Sequence, residues 1–171
     1  MLTGTDLERL LGAFEQTAFR LESLDKPHTE EDWAELWQFL DTEVLGPSGR
    51  GGNAWVRSMT DQGKSLSRVH ILRSPLNALL RHELAAFRSD IAAGESIGII
   101  DRAERDVQGL PDHDFWLFDD RDLYRLHHTP EGDLTGAEPL PPDRLPEYRA
   151  YRARALAWAV PFADWWAEHG E

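Results

Sequence analysis

Apolar residues recur along the chain at two spacings, and the change from one to the other marks out its elements. Leu7, Leu10, Leu11 and Phe14 stand at helical intervals behind Thr5-Asp6-Leu7-Glu8. That string has the S/T-x-x-E form of a capping box, in which a hydroxyl and a carboxylate satisfy orphan amides at a helix start. Ala18-Phe19-Arg20-Leu21-Glu22-Ser23-Leu24 alternates instead, and its place before Asp25-Lys26-Pro27 reads as an edge strand. Thr29 caps a second predicted helix, with Glu30, Glu31 and Asp32 in the electropositive first turn and Trp33, Leu36, Trp37 and Leu40 as its stripe. Pro47-Ser48-Gly49-Arg50-Gly51-Gly52 reads as a flexible loop. Trp55, Val56 and Met59 then mark a short helix that Gly63 terminates.

The middle of the chain carries the clearest signals. Leu66 to Arg73 alternates as a half-buried strand, Ser74-Pro75 breaks it, and Leu76, Leu79, Leu80, Leu84, Phe87 and Ile91 form an amphipathic helix ending at Ala93-Gly94. Ser96-Ile97-Gly98-Ile99-Ile100 is a short buried strand. A strand–helix–strand unit of about 30 residues favours a right-handed crossover between parallel strands. Phe115 to Phe118, Leu123 to Leu126 and Leu134 to Ala137, separated by Asp119-Asp120-Arg121-Asp122 and Thr129-Pro130-Glu131-Gly132-Asp133, predict an antiparallel meander over 113–138. A long helix from Asp143 to Ala159 follows, then a last turn from Pro161 through Trp165 and Trp166 that Gly170 closes. The expected fold is α/β, with α+β as the alternative: a mixed sheet of about five strands packed by helices. One domain is expected, with an acidic helical head (1–45), the loop (46–52), an α/β core (53–140) and a C-terminal helical segment (142–169).

The length of 171 residues suits one core, and 41% hydrophobic residues with seven Trp exclude disordered and fibrous classes. No run of about 18 apolar residues occurs, and Met1-Leu2-Thr3-Gly4-Thr5-Asp6 lacks a signal peptide's basic start, so a soluble cytoplasmic protein is expected. With no cysteine, thiolate metal sites, disulfides and cysteine nucleophiles are excluded. The formal net charge of −13 sits at the two ends of the chain, −8 over 1–45 and −8 over 106–171, while 46–105 carries +3. Such a surface repels phosphate backbones, which argues against direct nucleic-acid binding.

The string Asp114-Phe115-Trp116-Leu117-Phe118-Asp119-Asp120-Arg121, with Asp133-Leu134-Thr135-Gly136-Ala137-Glu138 after it, resembles an actinobacterial family of unknown function. Arg81-His82-Glu83, Ala92-Ala93-Gly94-Glu95, Asp101-Arg102 and Ala159-Val160-Pro161 add to the likeness, which spans roughly 17–167. Members are often encoded beside helix-turn-helix regulators, so the resemblance implies a cytoplasmic protein with a regulatory role. The order of elements also resembles one half of the phospholipase D-like fold, which serves without catalysis as an effector-binding domain in some regulators. Its catalytic form needs H-x-K, and neither Lys26 nor Lys64 stands two residues after a histidine.

Candidate chemistry falls into three groups. Asp114, Asp119 and Asp120, with Asp112, Asp122 and Arg121 beside them, bracket a strand; carboxylates there either hold a divalent cation with His127 or close turns by accepting amide hydrogens, and the turn is the commoner use. His127 and His128 point to opposite faces of a strand and do not share one metal. Arg73, Asp101 and Arg102 stand at the carboxyl ends of the predicted parallel strands, where ligands bind in open α/β sheets, and with Arg81 and Glu83 of the adjoining helix they form a candidate binding crevice or a salt-bridge set. Trp33, Trp37, Phe162, Trp165 and Trp166 are a candidate partner or homodimer surface, one of Trp165 and Trp166 being exposed because neighbours cannot share a helix face. No cofactor, no metal and no catalytic residue is assigned. The expectation is a non-catalytic regulatory, effector-binding or protein-binding module acting with a helix-turn-helix DNA-binding regulator. The alternative is a small metal-assisted hydrolase using Asp114, Asp119, Asp120 and His127.

Overall fold

A computed structural model of the chain describes residues 1–2, 4–23, 48–130 and 134–170. Seven strands form one sheet: β1 (Thr17–Glu22), β2 (Ser65–Leu72), β3 (Ser96–Asp101), β4 (Phe115–Phe118), β5 (Asp122–His128), β6 (Leu134–Pro139) and β7 (Val160–Pro161), in the order β6-β5-β4-β1-β2-β3-β7. Among the described residues five α-helices pack on it: α1 (Gly4–Ala13), α2 (Ser48–Asp61), α3 (Ala78–Ala92), α4 (Leu145–Trp158) and α5 (Phe162–His169). A 3₁₀ turn, Pro142–Arg144, leads directly into α4, so 17 residues of helix run on from Pro142. The fold is α/β. No helix among the described residues is long and apolar enough to cross a membrane.

β1, β2 and β3 are parallel, with Leu72 level with Asp101, and β2-α3-β3 is the expected crossover unit. Its helix starts where the Asn77 side chain accepts the Leu80 amide at 2.8 Å, satisfying one orphan donor. β4, β5 and β6 are the expected antiparallel meander. Its first turn closes with the Arg121 amide on the Phe118 carbonyl at 2.9 Å, and both central residues have positive φ, Asp119 at 51° and Asp120 at 54°. That is the sign a type I′ hairpin turn requires, and aspartate tolerates it better than most side chains.

Three expectations are corrected. β1 is not an edge strand: it lies between β4, antiparallel to it, and β2. Ala18, Phe19 and Leu21 are all buried, and the alternation reflects a second covered face rather than a solvated one. Residues 48–52 are not a loop but the opening turns of α2. Each glycine there disfavours helix by about 1 kcal/mol. The packing of Val56 and Met59 against Ala18, Leu66 and Trp116 outweighs that preference. The sheet also has more strands than expected. β7 is only two residues long, and it seats Pro161 beside Gly98, where an added Cβ would come within 2.7 Å of Ala159 Cβ. The predicted helix capped by Thr29 lies outside the described residues.

The sheet has two unlike faces. On one, Phe19, Leu21, Val69, Ile71, Phe115 and Leu117 pack under Tyr148 and Ala155 of α4. On the other there are two separate apolar clusters. The first joins Phe14, Val56, Met59, Trp116 and Phe118, and the second joins Leu84 and Phe87 of α3 to Ile97, Ile99, Phe162 and Trp165. Charged side chains run between them.

Candidate functional site

The polar half of β1 and β2 forms a charged seam beneath the helices. In the parallel register Arg20 stands beside Arg68 and Glu22 beside His70. Two arginines side by side repel. Glu22 resolves this by taking Arg20 at 2.7 Å and Arg68 at 3.3 Å, with His70 Nδ1 at 3.4 Å. Arg68 turns its other edge to Glu95, with Nε to Oε1 at 3.0 Å and Nη2 to Oε2 at 3.1 Å, a bidentate pair that fits the planar guanidinium. Its cation also lies 4.9 Å from the centre of the Phe87 ring, as Arg20 lies 5.5 Å from that of Trp116. At the far end, Asp114 accepts the Ser23 amide at 2.7 Å, and its other oxygen stands 3.9 Å from both Arg20 and His128 Nε2.

These charges are buried, and each must be held in its ionised form against the loss of water. Burial pushes the Glu22 carboxyl up, but Arg20 and Arg68, with the His70 hydrogen bond, more than reverse this and hold it well below the carboxylate range. Burial lowers Arg68 less than Glu22 and Glu95 raise it. Glu95 ends above its ordinary value, because burial outweighs Arg68, and Asp90 is raised for the same reason.

A second polar assembly lies at the carboxyl ends of β2 and β3. Asp101 is 4% exposed, and its Oδ1 accepts the Ser74 amide at 3.0 Å and the Ala103 amide at 2.8 Å. Its Oδ2 is buried and receives no hydrogen bond of acceptable geometry among the described residues. Burial pushes this carboxyl up, and the Ser74 amide and hydroxyl, the Ala103 amide and the nearby His169 bring it below its ordinary value. Arg102 reaches across to the Ser23 carbonyl at 3.2 Å, tying the ends of β1 and β3 together. From α5, His169 brings Nε2 to 3.0 Å from Glu104 Oε1 while Nδ1 lies 3.0 Å from the Trp165 carbonyl. One ligand atom each from Asp101, Glu104 and His169 lie within 4.8 Å of one another.

The structure thus brings Arg73, Asp101 and Arg102 to one end of the parallel strands, with Arg73 exposed. Arg81 donates at 3.3 Å to the carbonyl of Gly170, the residue after His169, and the Glu83 side chain is outside the described part. The meander carboxylates do not converge. Asp114 precedes β4 and Asp119 and Asp120 follow it, at opposite ends of a four-residue strand about 14 Å long. Asp119 accepts the amides of Glu15, Gln16 and Thr17 at 2.7, 2.7 and 2.9 Å. Asp120 pairs with Arg149 and Arg152, both at 3.0 Å, and Arg121 with Asp122 at 2.8 Å. His127 is held by Glu138 at 2.8 Å, and His128 rather than His127 faces Asp114.

The aromatic partner surface is corrected as well. Phe162 and Trp165 are each only 2% exposed, packed inside the second cluster, while Trp166 is half-buried and stacks on Phe162 at 5.4 Å. Trp33 and Trp37 lie outside the described residues. Sequence reasoning missed Glu22, Arg68, His70 and Glu95 as a linked set, and Glu104 and His169 as neighbours. All of the first set but Glu95, which precedes β3, was visible as polar positions at every second residue of β1 and β2. The second joins residues 65 apart and leaves no local signal.

A search of the curated proteins finds no match to the chain. The family model described as a domain of unknown function, DUF6879, matches residues 5–167, and the chain belongs to that family.

Proposed function

We propose that the protein is a non-catalytic regulatory module that binds a basic partner protein, a helix-turn-helix DNA-binding regulator. The observation that carries this reading is how the polar groups are used. Asp114, Asp119, Asp120 and His127, the residues a hydrolase would need together, are spread over both ends of the meander and engaged in holding turns and helices. The chemistry left for the outside is charge, −13 in all, which favours encounter with a cationic surface. The phospholipase D-like resemblance adds to the reading, since that half-fold serves as an effector-binding domain without catalysis in some regulators.

Co-expression with a helix-turn-helix regulator from the same genome, taken first from any encoded nearby, followed by size-exclusion chromatography with light scattering, tests the proposal. A complex is expected at low ionic strength that weakens as salt shortens the Debye length from about 30 Å at 0.01 M to about 8 Å at 0.15 M. Two separate peaks at low salt, or turnover of a small molecule abolished by Asp119→Asn, overturn it.

A further inference from the structure

Going beyond that reading, we infer that Asp101, Glu104 and His169 form a binding site for a first-row divalent metal ion such as Zn²⁺, at the carboxyl ends of the parallel strands. The argument starts from the imidazole. The Trp165 carbonyl only accepts, so the His169 nitrogen 3.0 Å from it, Nδ1, carries a hydrogen. Nε2 then turns its other side to the Glu104 carboxylate at 3.0 Å. A neutral imidazole would set a lone pair against a carboxylate oxygen. Something positive belongs between them, either a proton or a metal ion.

The spacing suits the metal. Ligands about 2.0–2.2 Å from one ion stand about 2.8–3.6 Å apart at octahedral or tetrahedral angles, a range that contains the observed Nε2 to Oε1 distance of 3.0 Å. The carbonyl behind Nδ1 is the support metal-binding histidines ordinarily have, fixing tautomer and ring orientation. Stacking on Trp165, with centroids 4.6 Å apart and planes 7° from parallel, holds the ring further.

Asp101 supplies the independent observation. Its Oδ1 is occupied by two amides, whereas Oδ2 is buried with no hydrogen bond of acceptable geometry among the described residues, an arrangement that native structures seldom leave uncompensated. A cation shared with Glu104 and His169 gives that oxygen its partner. One imidazole and two carboxylates form a set for borderline ions rather than for soft ones, and three protein ligands leave a position open for a further ligand.

The test uses the full chain, stripped with EDTA and titrated with Zn²⁺ by calorimetry and with Co²⁺ by visible absorption. One saturable ion per chain is expected, with Co²⁺ bands of an ordered site. His169→Gln and Glu104→Gln each remove a ligand and are expected to weaken binding at least about tenfold, the lower bound for loss of a mere supporting group. Asp101→Asn retains the Oδ1 acceptor for Ser74 and Ala103 while removing the anionic oxygen, and the same loss is expected. His127→Gln, a histidine held elsewhere by Glu138, is expected to titrate as wild type. Glu104 is exposed, so its variant decides the matter if the others misfold. Absence of saturable binding, or a Glu104→Gln protein that binds as wild type does, overturns the inference.

Discussion

Replacing Arg68 by methionine removes the guanidinium that both Glu22 and Glu95 face, while keeping a side chain long enough to cover Phe87. The Glu95 side chain is 2% exposed and has no water to replace the lost cation, while Glu22, 12% exposed, keeps Arg20 at 2.7 Å. Removing one partner of a buried pair costs about 3–5 kcal/mol, and the loss here falls chiefly on Glu95, since Glu22 keeps Arg20. For a chain of this size each kcal/mol moves the melting temperature by about 2–4 °C, so a fall of about 6–20 °C is expected at pH 7. The dependence on pH has a definite sign. In the wild type Glu22 is held below its ordinary value, so its stabilisation is present above the unfolded pKa and is lost as pH falls through the folded one. In the variant both carboxylates move upward, and their cost disappears as they protonate. The gap between the two proteins must therefore narrow from about pH 7 to about pH 5. Urea unfolding followed by tryptophan fluorescence at both values measures it. Adding Glu95→Gln to the variant should recover part of the loss. A loss below about 1 kcal/mol at neutral pH, the ordinary figure for a surface pair, or a gap that widens on acidification, refutes the reasoning.

Asp119→Ala strips the acceptor from three successive amides that are open to water, and a loss of about 1–2 kcal/mol in urea unfolding is expected, with Asp119→Asn closer to wild type. Gly98→Ala drives a Cβ into Ala159, costing about 1–3 kcal/mol, and Ala159→Gly in the same chain should restore most of it in a double-mutant cycle of melting temperatures. Acid should destabilise the wild type: Glu22, Asp101 and Asp119 have lowered values, and what they contribute is lost as pH falls below the ordinary carboxylate range. Glu95 and Asp90, both raised, act in the opposite direction over the same titration, so thermal melts should show a shallower decline in wild type than in Glu95→Gln.

The sequence made much of the fold legible because its strongest signals are local. The β2-α3-β3 unit and the meander follow from period and turn residues alone, and the parallel ends at Arg73 and Asp101 follow from the crossover rule. β1 was misplaced because Arg20 and Glu22 alternate with apolar residues just as a solvated face does. Only the packing of helices over both faces distinguishes a buried ion seam from an exposed edge. Gly49, Gly51 and Gly52 misled for a related reason, since intrinsic preference is a weak guide once tertiary contacts hold the following turns. Phe162 and Trp165 were read as a surface because the sequence does not say that β7 turns the chain back onto β3 and presses α5 against it.

β1 borders β2 on one side and β4 on the other, and those neighbours stand about 50 and 100 residues later in the chain. During synthesis a nascent polypeptide halted before Phe115 has completed β2 and β3, yet the outer rim of β1, with Phe19 and Leu21, still lacks its cover. Unpaired strand rims of that kind recruit other chains. Fragments ended in that interval should emerge from the ribosome as aggregates, and those long enough to include the meander and α4, which covers Phe19 and Leu21, should not.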